Sequence, residues 1–317
     1  MRNATDPATI VFPHGLSYAA RFEDLRSTSL AVCGALNVAL REVATSASIL
    51  ICGEPGTGKA ALAQAIHAAH RYPGRPFVRS FLGAARGATW FAERVKDAQR
   101  GTLFLHDLAL AHQDVRHGML VTLEQGLQED LQVRLITASP RPRGELAGNP
   151  SLIHADLLRR LSEVVLELPP LRERTGDIVP LFQAILAPEA ARAGREPFAQ
   201  PSRLVRDALE AWPWPRNLHD LHAAARHAVA TAKRGWVGID DLGLVHEEAV
   251  AALRSRALCP ETVGDQRLDL VISALVQANG NVVEAARALG VSKSTLYVWI
   301  RRLGVEPRMF RLRRRRA

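Results

Sequence analysis

The chain has 317 residues, 47% of them hydrophobic, with a formal net charge of +9 and a pI near 10.3. Its length fits about two domains, and its apolar content excludes a globally disordered polymer. The charge favours a polyanionic partner, nucleic acid or an acidic membrane surface, without choosing between them. No apolar run reaches the roughly 18 residues that cross a bilayer, and the opening MRNATDPATI lacks the charged-then-apolar pattern of a signal peptide. A cytoplasmic protein with no membrane partner is expected.

Residues 1–26 have little periodicity and are punctuated by Pro7, Pro13 and Gly15. LRSTSLAVCGALNVALREVA (25–44) spaces its apolar residues for a helix. SILIC (48–52) reads as a strand, GEPGTGKA (53–60) as a glycine loop and KAALAQAIHAAH (59–70) as a helix. Strand, glycine loop and helix in that order form the context of the phosphate-binding pattern G-x-x-x-x-G-K-[ST]. Gly53, Glu54, Pro55, Gly56, Thr57, Gly58, Lys59 and Ala60 are therefore candidate nucleotide-binding residues, with ATP as the expected cofactor. Loop N–H groups and the helix start face phosphate oxygens there, and Lys59 adds a point charge. Ala60 has no hydroxyl for magnesium. Cys33, Cys52 and Cys259 form no C-x-x-C pair, so no disulfide framework and no metal site are expected. Cys52, inside an apolar run, should be buried.

FVRSF (77–81) is a second candidate strand, ahead of the glycine-rich GAARGATW (83–90). TLFLHDL (102–108) reads as a buried strand ending in polar residues, MLVTLEQGL (119–127) as helix and VRLITAS (133–139) as strand. Strands alternating with helices imply an α/β unit with a parallel sheet covered on both faces. From LRERTGDIVPLFQAIL (171–186) the pattern is helical, through LVRDALEAW (204–212) and LHDLHAAARHAVATAKR (218–234). The expected organisation is a short N-terminal segment 1–26, an α/β nucleotide-binding domain 27–172, a helical subdomain 173–244, a linker 245–262, a helical DNA-binding domain 263–306 and a basic tail 307–317.

The last domain rests on LDLVISALVQANGNVVEAARALGVSKSTLYVWIRRLGV (268–305). A first helix stops near Asn279-Gly280, and Asn281 caps the next, with Glu284 completing a capping box. VVEAARAL ends at Gly290, suited to a left-handed turn. Ser292 then caps SKSTLYVWIRRL, whose Leu296, Ile300 and Leu303 form the inward stripe. Two short helices across a glycine turn make a helix-turn-helix, whose second helix enters the major groove. Ser292, Lys293, Ser294, Thr295 and Tyr297 are the candidate groove-facing residues, with Arg301 and Arg302 nearer the phosphates. The tail RMFRLRRRRA (308–317) follows directly, so double-stranded DNA is the expected polyanion.

The stretch AARALGVSKSTLY resembles a Fis-type helix-turn-helix, which implies dimerisation through this domain on two half-sites. RGTLFLHDL (100–108), LLRRL (157–161), LELPPLRERTGDI (166–178) and WPWPRNLHDL (212–221) occur in order ahead of it. Together they resemble the bacterial enhancer-binding proteins, the AAA+ activators of sigma-54 RNA polymerase, over roughly residues 27–305. The resemblance implies an AAA+ α/β domain, a helical lid, ring assembly and RNA polymerase as a partner.

Several positions depart from that family's pattern. The Asp-Glu pair that serves magnesium and the attacking water falls on His106 and Asp107. Neutral imidazole is a poor magnesium ligand, which puts the metal in question, and Asp107 is one methylene shorter than Glu. The sensor asparagine falls on Pro140, and the asparagine paired with the catalytic glutamate falls on Phe81. Of two arginines that reach a neighbouring subunit's nucleotide, one falls on His154 and the other on Arg160. The lid arginine falls on His219. Asp107 and Arg160 are thus the remaining candidate catalytic residues. The GAFTGA sigma-contact loop has no counterpart between Phe81 and residue 102.

The leading expectation is a DNA-binding transcription regulator whose degenerate AAA+ domain binds ATP with weak or no hydrolysis and does not remodel sigma-54 polymerase. Two alternatives stay open: an active ATPase of sigma-54 promoters, and an accessory DNA binder whose AAA+ part only oligomerises. Residues before 27 leave no room for a receiver or sensor domain, so regulation is expected from a partner, the nucleotide, a small ligand or abundance.

Overall fold

The computed structural model describes residues 25, 27–69, 74–232, 235–244, 271–275, 277–278, 281–289 and 292–302. The N-terminal segment up to residue 24, the linker, Cys259, Gly290, Leu303 and the basic tail lie outside the described residues.

Five parallel strands form one sheet in the order β2-β3-β4-β1-β5. They are β1 (Ile49–Cys52), β2 (Phe77–Phe81), β3 (Thr102–His106), β4 (Arg134–Ser139) and β5 (Val164–Glu167). All residues of β1 and β4 are buried, as helices on both faces require, and β4 carries Arg134, Thr137 and Ser139 into that interior. The faces separate with the strand period of two. Leu50, Leu103, Leu105 and Leu135 pack on one side with Phe91, Val95, Met119 and Leu157. Ile49, Ile51, Phe104 and Ile136 pack on the other with Ala39, Leu62 and Ile66.

The first set of helical residues belongs to α3 (Trp90–Asp97), α4 (Gln113–Glu124) and α7 (Ala155–Leu161), the second to α1 (Leu30–Glu42) and α2 (Lys59–Ala68). Short helices α5 (Leu127–Asp130) and α6 (Arg143–Ala147) flank β4. β1 pairs with β4 on one side and β5 on the other. The C-terminal ends of such central strands are where doubly wound sheets bind ligands.

The four strands read from the sequence are all present, and β5 is added. It lies at the sheet edge with Leu166 its one buried residue, so its pattern carries no clear period. α4 begins at Gln113, ahead of the apolar run at 119, because Val115 is buried on the same face. Helix α8 (Thr175–Arg192) starts only after a 3₁₀ turn, Leu171–Glu173.

One compact unit contains the sheet and runs to Pro180, and Pro213–Leu221 returns to it. The other holds Leu181–Trp212 and the residues from His222 onward. In this second unit α9 (Arg203–Ala211) begins at Ser202, whose side chain accepts from Val205 N. Arg195 donates to the Val229 and Ala232 carbonyls, closing the end of α10 (Leu218–Thr231). Helices α11 (Val282–Ala288) and α12 (Lys293–Arg302) share a core of Val271, Ala274, Leu275, Ala285, Leu296 and Ile300. Among the described residues, no helix is long and apolar enough to cross a membrane.

Candidate functional site

The glycine loop leaves β1 at Gly53 and enters α2 at Lys59. Gly58 takes φ +106° as the helix N-cap, a conformation that strains any residue with a Cβ. Gly56 combines φ +81° with close approach, because an added Cβ would lie 2.3 Å from the Arg216 carbonyl oxygen. Lys59 is only 6% exposed, and its Nζ donates to the carbonyls of Gly53 at 2.5 Å and Glu54 at 2.8 Å. Burial pulls the Lys59 pKa down, opposed by the nearby Asp107, Cys52 and Glu54. Thr57 Oγ1 donates to the Glu54 carbonyl at 2.9 Å. Ala60 packs against the apolar cluster under α2. The loop therefore folds as a turn of backbone around a buried ammonium at the start of α2.

Two distant segments brace this cradle. Asn217, fully buried in a left-handed turn at φ 53°, donates to Glu54 Oε2 at 3.1 Å and to the Pro55 carbonyl at 2.9 Å. It also accepts from Leu171 N at 2.7 Å. Leu218 N donates to the Gly56 carbonyl at 3.1 Å. Arg172 pairs with both Glu54 oxygens, at 2.9 and 2.6 Å, and Arg174 donates to the Thr57 carbonyl at 2.7 Å. The Arg172 hydrogen bond, with the smaller one from Asn217, holds the Glu54 carboxyl below its ordinary range despite some burial. Sequence reading singled out both segments as signatures but gave these side chains no role. Their separation of 117 to 163 residues from the loop leaves no local signal.

The second motif sits at the end of β3. His106 is paired in register with Phe81 on β2, and its ring meets Phe104 edge-on at 4.6 Å. Arg79 Nη2 lies 3.4 Å from His106 Nε2; with the guanidinium donating, the ring accepts as neutral imidazole. Burial, then the Arg79 and Lys59 charges, lowers the His106 pKa to about 4. Asp107 adopts φ 58°, and its carbonyl accepts from Leu110 N at 2.8 Å to open a short 3₁₀ turn. Burial pushes its carboxyl up, partly offset by Lys59.

The remaining sequence-derived positions scatter. Pro140 follows β4. His154 caps α7 by accepting from Asp156 N. Arg160 lies near the start of β5, beside Ser46 and Ser48, at the opposite end of β1 from the glycine loop, so in its own chain it does not reach that loop. The His219 ring lies 2.9 Å from where a Gly56 Cβ would be. Cys52 is buried and free, with its thiol raised to about 11 mainly by burial. Among the described residues, no cluster of three His, Cys, Asp or Glu side chains is placed to hold a metal.

In the C-terminal helices, Asn281 Oδ1 accepts from Val283 N at 3.1 Å, so the expected cap forms. The return half of the capping box does not: Asn281 N donates to the Ala278 carbonyl at 2.8 Å, leaving Glu284 no N–H to receive. Leu296 and Ile300 point inward as expected, while Tyr297 is 49% exposed and Ser292 and Lys293 are exposed. Ser294, Thr295, Arg301 and Arg302 lie on the same helix, α12; their side-chain environments lie outside the description.

Family models match the chain in the same order as these parts: a sigma-54 interaction domain at residues 29–171, an AAA+ ATPase lid domain at 172–256 and a helix-turn-helix domain at 266–306. The chain belongs to the sigma-54-interacting AAA+ family. Within that family it is 31% identical over 302 residues to the alginate biosynthesis transcriptional regulatory protein AlgB of Pseudomonas aeruginosa, covering 87% of this chain and 66% of AlgB. It is 29% identical to the transcriptional regulatory protein ZraR of Escherichia coli O157:H7, covering 80% of this chain and 62% of ZraR. The chain thus spans about two thirds or less of the curated relatives it matches. Brucella abortus NtrX, solved in complex with ATP, shares the fold with TM-score 0.60 at 24% identity, over 89% of this chain and 69% of NtrX. The Thermotoga maritima RuvB branch-migration motor shares it at TM-score 0.52 and 14% identity, over 90% of each chain.

Asn217→Ala strands the buried Leu171 N–H and removes the Asn217 bonds to Glu54 and the Pro55 carbonyl, so urea denaturation should register a loss above about 2 kcal/mol. Arg172→Ala, which breaks a half-exposed pair, should cost under about 1 kcal/mol. Equal losses would remove Asn217 from its central place. His106 supplies a second prediction. An unfolded histidine binds its proton near pH 6.5, whereas folded His106 does so near 4. Stability therefore falls as pH drops through that window, because the unfolded state holds the extra proton. His106→Phe should show a shallower fall across the same window, and identical slopes would contradict a neutral, buried His106.

Proposed function

We propose that this chain is a DNA-binding transcription regulator whose AAA+ domain holds ATP as a structural ligand, with weak or no hydrolysis and without remodelling sigma-54 polymerase. The observation that carries the reading is the second motif: a neutral imidazole against Arg79, with Phe81 beside it in register. Phosphoryl transfer depends on positioned charge, and loss of an arginine finger alone costs about 10³–10⁵ in rate. Here several such positions change together. The donor set does not fit magnesium, which takes oxygen ligands in near-octahedral geometry. Lys59 and Arg79 bring positive charge, His106 offers nitrogen, and Asp107 alone offers carboxylate oxygen.

The braced loop around Lys59 supports retained nucleotide binding, and NtrX was solved with ATP and ADP. Bound nucleotide would then stabilise the folded AAA+ unit by mass action. Residues 82–89, between β2 and α3, form the whole connection where the family's sigma-contact loop is expected, which supports action without that contact. The proposed DNA surface is α12, with Ser292, Lys293, Ser294, Thr295 and Tyr297 toward the groove and Arg301 and Arg302 toward phosphate. Dimerisation through this domain, a ring of AAA+ units with Arg160 facing a neighbour, and contact with RNA polymerase are the partner assignments that accompany this reading. A domain organisation of 27–172, 173–244 and 263–306 goes with it. Asp107, within electrostatic reach of Lys59, favours residual hydrolysis as the second reading.

With purified chain and Mg-ATP, turnover should stay near background while ATP raises the melting temperature, and Lys59→Ala should abolish that rise. Hydrolysis at ordinary AAA+ rates, lost in Lys59→Ala, would establish the second reading instead. For DNA, take a duplex selected from a random pool by the wild-type chain. Lys293→Ala combined with Arg301→Ala should weaken binding and reduce the salt slope by about one for each phosphate that is no longer neutralised. Unchanged affinity and slope would exclude α12 as the DNA surface.

A further inference from the structure

At the N-terminal end of the strands, opposite the glycine loop, lies a cavity of about 900 Å³. It is built from the segments that enter the strands: Ser46 and Ser48 before β1, Gly101 before β3, Val133 before β4 and Ser162 before β5. Two tight turns aim side chains here, with Arg100 at φ 58° and Gln132 at φ 53°. Arg100 N donates to the Leu131 carbonyl at 2.9 Å, and Arg134 N to the Gly101 carbonyl at 3.0 Å, which locks the turns together.

The lining is cationic. Arg75, Arg100, Arg134, Arg143, Arg159 and Arg160 face Glu129 and Glu163, leaving four positive charges in excess. Glu163 is already engaged, accepting from Ser48 N at 2.7 Å. Among the described residues, Arg100, Arg134, Arg143, Arg159 and Arg160 form no ion pair. Arg134 is only 4% exposed and donates to the Val43 carbonyl at 2.9 Å and to that of Glu42, yet its Nε has no partner. Burial lowers its pKa to about 10, partly countered by Glu42, so it keeps its charge at neutral pH. Arg160 Nε is likewise buried without a partner. Arg143 Nε donates to Ser162 Oγ at 3.2 Å, which orients its guanidinium.

Concentrated guanidinium groups repel one another, and burying unpartnered donors is costly. A polyanion offsets that repulsion, because guanidinium forks match phosphate oxygens two at a time. We propose that this cavity is a second anion site, which binds a small molecule carrying a chain of phosphates and is separate from the nucleotide loop. Since Arg160 lines it, occupancy would engage the arginine assigned above to a neighbouring subunit and so link the ligand to assembly. That consequence, unlike the site itself, rests on the trans assignment.

The test uses the full chain with Lys59→Ala, which silences the glycine loop, titrated calorimetrically with inorganic triphosphate at low salt. One triphosphate per chain is expected, at unchanged sedimentation mass. Adding Arg143→Glu with Arg159→Glu should weaken binding by about tenfold or more. The neutral pair Arg143→Gln with Arg159→Gln should give a smaller loss, and it serves if charge reversal prevents folding. No binding in the Lys59→Ala chain, or wild-type affinity in the arginine variants, would overturn the proposal. Binding only with a rise in sedimentation mass would overturn it too, assigning the arginines to the nucleotide of a second copy.

Discussion

A buried amide holds the nucleotide loop in place. Asn217 reaches Glu54, Pro55 and Leu171 at once, and without it the buried Leu171 N–H would have no partner. A carboxamide has both a donor and an acceptor end, which no single charged or hydroxyl side chain reproduces with this spread. Through it, the loop after β1, the turn after β5 and the segment before α10 become one piece. Arg172 and Arg174 add charge-assisted bonds to the same loop, but from positions where solvent or a backbone carbonyl shares the load. The loop is therefore pre-shaped by the protein, and a nucleotide need not organise it.

That pre-shaping separates binding from chemistry. In the function proposed above, binding would rely on the backbone turn, Lys59 and the helix start, all of which the braces support. Hydrolysis also relies on groups at the ends of β2, β3 and β4, and there the side chains are Phe81, His106 and Pro140. The register of the sheet puts Phe81 directly beside His106, and Arg79 and Phe104 enclose the imidazole. These neighbours make a self-consistent, desolvated cluster.

Most of the sheet was legible from the residues. Four strands announced themselves because a parallel strand buried on both faces carries a short apolar run, as ILIC does in β1 and LFL in β3. β5 was not, because an edge strand with one buried residue lacks any period to read. The Asn281 cap was legible because a side chain reaching two residues ahead is local. The return bond from Glu284 was not, because Asn281 N donates instead to the Ala278 carbonyl.

The sequence by itself determined the glycine loop, the strand–loop–helix order, the family and the helix-turn-helix, since each depends on neighbours within a few residues or on motifs in fixed order. Only the tertiary structure decided that Asn217 and Arg172 clamp the loop, that burial and Arg79 hold His106 as a neutral imidazole, and that six arginines converge below the sheet. Parallel crossovers bring together residues up to 163 positions apart. What meets at a strand end is therefore set by strand order and register, which no local pattern encodes.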